Sequence, residues 1–513
     1  MFAFTRFKKS DHLLADPRAT RELIEQISQR DGSVRLEGLT EVLDSLKTAQ
    51  DLGALRLFEV ADQLDRVGRP YWRKATQEYF AGTGKLTNYQ ITRLWTMVGE
   101  YLVQLAEAYE YCLARMDTAG GDQASLGPQL PRIIGRALRL RGAAQSWDYV
   151  RYANQFGRWG EIYRLYQLAT ARGCLDQQTA LYRGGRLCTI EQELMQVLML
   201  AVAAPQSMLP EQIDVADRIT ARLAYSFSLA GDAKGNRYYF FDPASSSPPS
   251  REQPGIRPPI TARRFGPGEA RAELKGLAAR AALGELPLSE IGVDRHSVEI
   301  VAPTVQHLVR HWCDAPPERR FARRRAPQRI EVAHGFDEIV AKVGNLPSAY
   351  PFASAREIWL IENAGEGGIG VLAALPHGAW ASVGGLVALR YPEAGVWNLA
   401  IVRHINEDKE DRFLGLEVVS KGGVAVSLHR HRRTRADEDE DYYGVWLAGN
   451  ASTDNVITLL LPRGSFAKSR SLYMYLQGRE YVLKPLEQLA SGADYDIGRY
   501  EVRVEDRPAG RAK

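Results

Sequence analysis

The spacing of apolar residues changes character along this chain, and that change demands a fold of more than one part. From Arg329 onward the segments RIEVAHGF, EIWLIEN, SVGGLVALRY, VWNLAIVRHI, RFLGLEVVS and GVAVSLH follow one another closely, with Gly, Pro and Asp between them. Short β-rich runs at that spacing predict an antiparallel barrel or sandwich. VITLLLP, SLYMYLQ and REYVLKPL carry the β pattern further towards the C-terminus. The first two hundred residues instead follow the helical period. From Leu86 to Met116, Ile91, Leu94, Trp95, Val98, Leu102, Leu105, Tyr109 and Leu113 recur at steps of one, three and four, with Thr87 or Asn88 as an N-cap.

Two further helices, Ile133 to Gln155 and Trp159 to Ala171, flank the turn Phe156-Gly157-Arg158. Trp147, Tyr149, Tyr152, Trp159, Tyr163 and Tyr166 give this region a tetratricopeptide-like look without a fixed repeat period. An aromatic stripe at helical spacing reads as core, with a peptide-binding groove as the minority alternative. Beyond Leu223, LAYSFSLA and RYYFFD flank GDAKGN and predict a hairpin. A Pro/Ser-rich loop follows, then helices over Gly268 to Leu283 and over Val301 to Cys313, the latter with Pro303 in its first turn.

With 513 residues the chain exceeds what a single hydrophobic core normally supports. The expected fold class is multidomain α+β. It divides into an α-helical, helical-repeat-like region (1–205), a small mixed α/β connecting domain (206–314), an antiparallel β-barrel (315–430) and a C-terminal β extension (431–513).

The balance of 66 basic against 62 acidic residues disfavours a general nucleic-acid coat or an anionic membrane surface. Any anion site must be local. Four cysteines without C-x-x-C spacing argue against a zinc ribbon or a secreted disulfide framework, and a reducing cytoplasm is the expected compartment. MFAFTRFKKSDHLL holds no apolar run of signal-peptide length, and the most apolar segment, Leu194 to Ala204, reads as a buried helix, not a membrane span.

Two features carry chemistry. The cluster ERRFARRR puts Arg319, Arg320, Arg323, Arg324 and Arg325 together, each with a forked set of donors for phosphate or a guanine edge. Some forty residues on, IENAGEGGIGV allows backbone N–H groups to approach the same ligand. A solvated linker and a plain hairpin turn are the bland alternatives. Gly365, Gly367 and Gly370 also satisfy G-x-G-x-x-G, but a dinucleotide-binding domain needs a helix next, and Pro376 and Gly378 leave no room for one. His307 and His311, with Cys313 nearby, lack further ligands, so no metal site is expected. HRHRRTRADEDEDYY reads as a loop that neutralises itself. No nucleophile elbow, Walker sequence or paired carboxylates stand out, and no enzyme activity or cofactor is expected.

An arginine cluster leading into a barrel, followed by a strand that ends in a polar, glycine-bearing turn, resembles the PilZ domain, a receptor module for the bacterial second messenger cyclic di-GMP. The resemblance covers about Pro316 to His429. Arg319 with Arg323, or Arg320 with Arg324, supplies the R-x-x-x-R spacing; Asn363, Gly365 and Gly368 fall on the second motif. Trp397 to Arg403 and Phe413 to Val418 suit the barrel. The resemblance implies that these arginines hold the ligand's phosphates and guanines while the second motif adds polar contacts. Gly365 stands where the family carries Ser, which removes a hydroxyl. The implied function is a cytoplasmic bacterial signalling protein that binds cyclic di-GMP and relays it to an unknown protein partner through the helical region. The alternative is a non-enzymatic scaffold with a degenerate barrel that binds no nucleotide. Nucleic-acid binding through Trp359, Trp380 and Trp397 is disfavoured by the near-neutral charge.

Overall fold

The computed structural model describes residues 12–504, apart from 31, 50, 83–84, 119–125, 154–157, 231–238, 253–255, 314–323, 346–356, 366, 375–379, 408–410, 430–441, 449–454 and 477–478. The chain divides into two compact units, Met1–Pro317 and Glu318–Lys513. It is a multidomain α+β protein, helical in its first unit and built of closed six-stranded antiparallel barrels in its second.

In the first unit the long amphipathic helix runs over Asn88–Thr118. Thr87 caps it reciprocally: its Oγ1 accepts from Gln90 N at 3.3 Å while its own N–H donates to Gln90 Oε1 at 2.9 Å. Val98, Leu102, Leu105, Tyr109 and Leu113 on its stripe are all buried. Helix Ala54–Gly82 crosses it closely, since a Cβ at Gly68 would lie 2.0 Å from Tyr101 Oη. Helix Leu130–Val150 packs on the other side, and the indoles Trp95 and Trp147 each donate to the other's backbone carbonyl, at 3.0 and 2.8 Å. Trp147, Tyr152, Trp159, Tyr163 and Tyr166 are buried, so the aromatic stripe is core, as its spacing implies. Helix Ile190–Ala201 is the apolar segment, buried on most of its surface. Among the described residues no helix is long and apolar enough to cross a membrane.

The hairpin expected from LAYSFSLA and RYYFFD does not form. Strands β3 (Ser228–Ala230) and β4 (Tyr239–Phe241) both pair with β6 (Arg263–Gly266), which lies between them, and β5 (Ser250–Arg251) completes the order β3-β6-β4-β5. Phe265, fully buried, explains the insertion: it sits opposite both Leu229 and Tyr239 and packs near Phe241 at 6.2 Å. A contact that remote in sequence leaves no local trace. The helices that follow are Ala270–Ala282 and Val298–His311; the second starts three residues earlier than read, so Pro303 lies inside it instead of in its first turn.

In the second unit, β7 (Arg324–His334), β8 (Glu357–Gly365), β9 (Gly368–Ala374), β10 (Leu386–Arg390), β11 (Asn398–Glu407) and β12 (Asp411–Ser420) close in the order β10-β11-β12-β9-β8-β7. What read as a β extension is a second closed barrel, β13-β14-β15-β18-β17-β16, formed by β13 (Gly423–His429), β14 (Tyr442–Leu447), β15 (Val456–Pro462), β16 (Leu472–Leu476), β17 (Arg479–Ser491) and β18 (Tyr495–Val504). GVAVSLH, attached by sequence to the first barrel, opens the second. Closure removes the exposed edges that an appended sheet would present. Helix Phe336–Gly344 interrupts the β pattern unannounced, between Gly335 at φ +81° and Asn345 in the left-handed region. Phe336, Ile339 and Val340 on its inner face join Leu386, Trp397, Leu399 and Ile401 of the first barrel with Val445, Leu447, Leu460 and Tyr495 of the second in one buried cluster. Both barrels therefore share a core.

Candidate functional site

β7 opens on the arginines. Arg324 lies opposite Ala364 and Arg325 opposite Asn363 in the β7–β8 ladder, and Gly365 lies opposite Gly368 where β8 turns into β9. Strand pairing thus brings Arg324 and Arg325 beside Asn363, Gly365 and Gly368, which are nearly forty residues away in sequence. Arg319, Arg320 and Arg323 lie outside the described residues.

Two irregularities shape this corner, as two others shape the β11–β12 ladder. The β7–β8 register shifts between Arg325 and Gln328, and the β8–β9 register shifts between Ile361 and Asn363. Bulges of this kind bend a strand, strengthen its twist and re-aim side chains at barrel rims. Asn363 leans over Gly370, where a Cβ would come within 2.7 Å of its Oδ1 and 2.9 Å of Phe413 Cζ. Gly370 is therefore required for the position of Asn363. After the glycines comes strand β9, not the helix that a dinucleotide fingerprint needs.

The charge is uneven as well. Elsewhere on this barrel Arg390 pairs with Glu331, Arg403 with Glu417 at 2.6 Å, and Arg412 with Glu407 at 3.0 Å. Arg324 and Arg325 are exposed and have no ion-pair partner among the described residues. Two guanidiniums left uncompensated at a bulged rim, next to a polar amide and an open glycine hairpin, can take an anion with forked hydrogen bonds.

The other sequence candidates serve packing. Trp359 and Trp397 are buried, and Trp380 stacks on His334 at 3.9 Å. Glu357 accepts from both Trp359 Nε1 and Trp380 Nε1, at 2.9 and 2.8 Å. These indoles form no open platform for bases. His307 and His311 stack at 4.3 Å, and His307 Nε2 contacts Ala203 O at 2.7 Å. Cys313 Sγ instead donates to Arg310 O at 3.0 Å.

The histidine pair has a pH consequence. Burial, then His307 and Arg310, pushes His311 down to about 3, and burial also lowers His307. Both are neutral in the folded protein, whereas in the unfolded chain they take up protons near their ordinary value. Their contribution to stability is complete above that value and is lost as pH falls below it. Between pH 7.5 and 4.5 the wild type is expected to lose roughly 2 kcal/mol more than the variant His311→Phe, measured by urea unfolding at each pH. Equal losses would show that His311 is not held neutral.

The architecture and rim define a helical unit followed by a β unit whose uncompensated cationic strand can receive an anionic ligand. Residues 18–233 match the family model described as the N-terminal domain of the cyclic-di-GMP receptor FimW. The match begins in the first helix, ends just past β3 and lies wholly in the helical unit. No curated protein matches the chain.

Proposed function

We propose that this chain is a bacterial signalling protein that binds cyclic di-GMP at the rim of its first barrel and conveys occupancy to a protein partner through the helical unit. The observation that supports the reading is the β7–β8 pairing that sets Arg324 opposite Ala364, next to Asn363, so that the end of the arginine cluster and the glycine-bearing turn lie side by side. The likeness of residues 18–233 to a cyclic-di-GMP receptor domain supports the same ligand from a different part of the chain. Arg324 and Arg325, with Arg319, Arg320 and Arg323 of the same cluster, would grip the phosphates and guanine edges. Asn363 would add a polar contact, and the hairpin at Gly365 and Gly368 would let the backbone approach. Binding would be conveyed through the junction at Pro317 and Glu318, next to the arginine cluster. Four free cysteines suit a cytoplasmic setting.

Gly365 favours a second reading, a scaffold that binds no nucleotide, because its position offers no hydroxyl. Calorimetric titration separates the two. Saturable binding of cyclic di-GMP in the micromolar range, about 8 kcal/mol of free energy, with no heat from GTP, is the expected result. Silence with cyclic di-GMP near ~1 mM would leave the scaffold.

Gly370→Ala tests the geometry without touching charge. The added methyl displaces Asn363 or Phe413, so cyclic-di-GMP affinity is expected to fall by about tenfold, with a stability cost of about 1 kcal/mol. Unchanged affinity in both Gly370→Ala and Asn363→Ala would remove Asn363 from the site.

A further inference from the structure

The helical unit contains a trough that the barrel rim does not use. Three adjoining cavities of about 420, 340 and 320 Å³ share walls: Trp72 and Arg73 line the first and third, while Arg69, Arg139 and Tyr182 line the second and third. Each is within the size range of small-ligand pockets.

Arginines from separate segments converge on it. Arg69 and Arg73 stand one turn apart on helix Ala54–Gly82 and so share a face. Arg183 and Arg186 come from the loop between β1 (Thr179–Ala180) and β2 (Leu187–Cys188). That loop is closed by Gly185 N donating to Tyr182 O at 2.9 Å, with Gly184 at φ +71°, a conformation glycine adopts without strain. The Tyr182 ring lies under Arg69 at 3.8 Å, with Arg136 at 4.6 Å, which pins the loop against the helices.

The carboxylates nearby are already engaged. Glu193 binds Arg139, with Nε to Oε2 at 2.7 Å. Asp214 binds Arg218, Arg295 and His296 at 2.9, 2.7 and 2.7 Å. Asp217 accepts from Gln196 at 3.1 Å, and burial pushes it up to about 6. Arg69, Arg73, Arg183 and Arg186 are left with no ion-pair partner among the described residues. The crowding is felt: burial, then Arg69, Arg218 and Arg139, holds the Arg73 guanidinium below its usual range. Like charges gathered around a concavity repel one another unless an anion occupies it.

We propose that this trough binds a ligand of nucleotide size that carries two or more phosphate charges, through residues of the helical unit alone. The four unpaired guanidiniums supply forked donors to phosphate oxygens. Trp72, half-buried on the wall, offers a flat apolar face to a base or sugar.

The test is arginine footprinting with phenylglyoxal on the full chain, read peptide by peptide, alone and with pyrophosphate, GTP or cyclic di-GMP in separate arms. The expected result is reduced modification of Arg73, Arg183 and Arg186 in at least one arm. Arg324 and Arg325 are read in the same spectra, so occupancy of the barrel rim is scored separately and the two sites fail independently. The double variant Arg73→Gln, Arg183→Gln, made in an Arg324→Ala, Arg325→Ala background, is expected to bind the protecting ligand about tenfold more weakly than that background. Its thermal midpoint is not expected to fall, because neither side chain makes an ion pair among the described residues and the substitutions relieve like-charge crowding. Equal modification in every arm, or undiminished protection of Arg186 in the double variant, would overturn the proposal.

Discussion

Replacing Arg324 and Arg325 together with alanine is expected to weaken cyclic-di-GMP binding about a hundredfold, because each loses a charge-assisted contact of ~1.5 kcal/mol. The fold is not expected to suffer. Both side chains are exposed and neither makes an ion pair among the described residues. Their backbones pair with Ala364 and Asn363, and alanine keeps that ladder. The expected signature is lost calorimetric heat at an unchanged unfolding midpoint. Arg403→Ala is the matched control, since it removes an exposed arginine of the same barrel that is already neutralised by Glu417. If the control weakens binding as much as the double variant does, the effect is general charge and not the rim.

The largest structural effect is expected at Arg136, in the helical unit. Its guanidinium is buried and contacts Asp62 and Asp65, while Arg132 also reaches Asp62 at 2.7 Å. Tyr109 Oη donates to Asp65 Oδ2 at 3.1 Å, and Arg136 Nε donates to the Leu181 carbonyl. Burial pushes the Asp65 carboxyl up, and Arg136 is the strongest opposing influence. Arg136→Ala strands the buried Asp65 carboxylate, while Asp62 keeps Arg132 and Arg66, at an expected cost of about 3–5 kcal/mol in denaturant unfolding. Adding Asp65→Asn is expected to recover part of that loss, because the uncompensated charge goes with it. No recovery would mean that packing, not charge, sets the cost.

Local pattern made several elements legible. The stripe through Val98, Leu102 and Leu105 announced the long helix, and the Thr87 cap sat where the sequence put it. The β character of the C-terminal unit was equally plain. Long-range pairing was not: β6 inserts between β3 and β4, and the second barrel closes only because β18 returns to β15 and β17. Such partners are chosen by packing that no short window of sequence displays. The helix Phe336–Gly344 was hidden because its single turn-spaced set, Phe336, Ile339 and Val340, is too short to stand out between strands.

The site divides along the same line. Asn363, Gly365, Gly368 and the arginine cluster are contiguous enough to be noticed, although the meeting of Arg324 and Arg325 with Ala364 and Asn363 across the β7–β8 ladder required the fold. In the sequence Gly370 stands out only as the last glycine of G-x-G-x-x-G, and its contact with Asn363 belongs to the fold. The arginines of the helical trough come from Arg69, Arg73, Arg183 and Arg186, more than a hundred residues apart at the extremes, and only tertiary structure gathers them. An unusual Arg-Gly-Gly-Arg loop was the one sequence signal that could have pointed there.

Cyclic di-GMP is expected to bind at the arginine strand and hairpin of the first barrel. Hydrogen exchange of the full chain, with and without saturating cyclic di-GMP, tests it most directly. Slowed exchange is expected in peptides covering Arg324 to Arg329 and Glu362 to Val371. No change in either segment, with the ligand shown to be bound elsewhere or not at all, would contradict it.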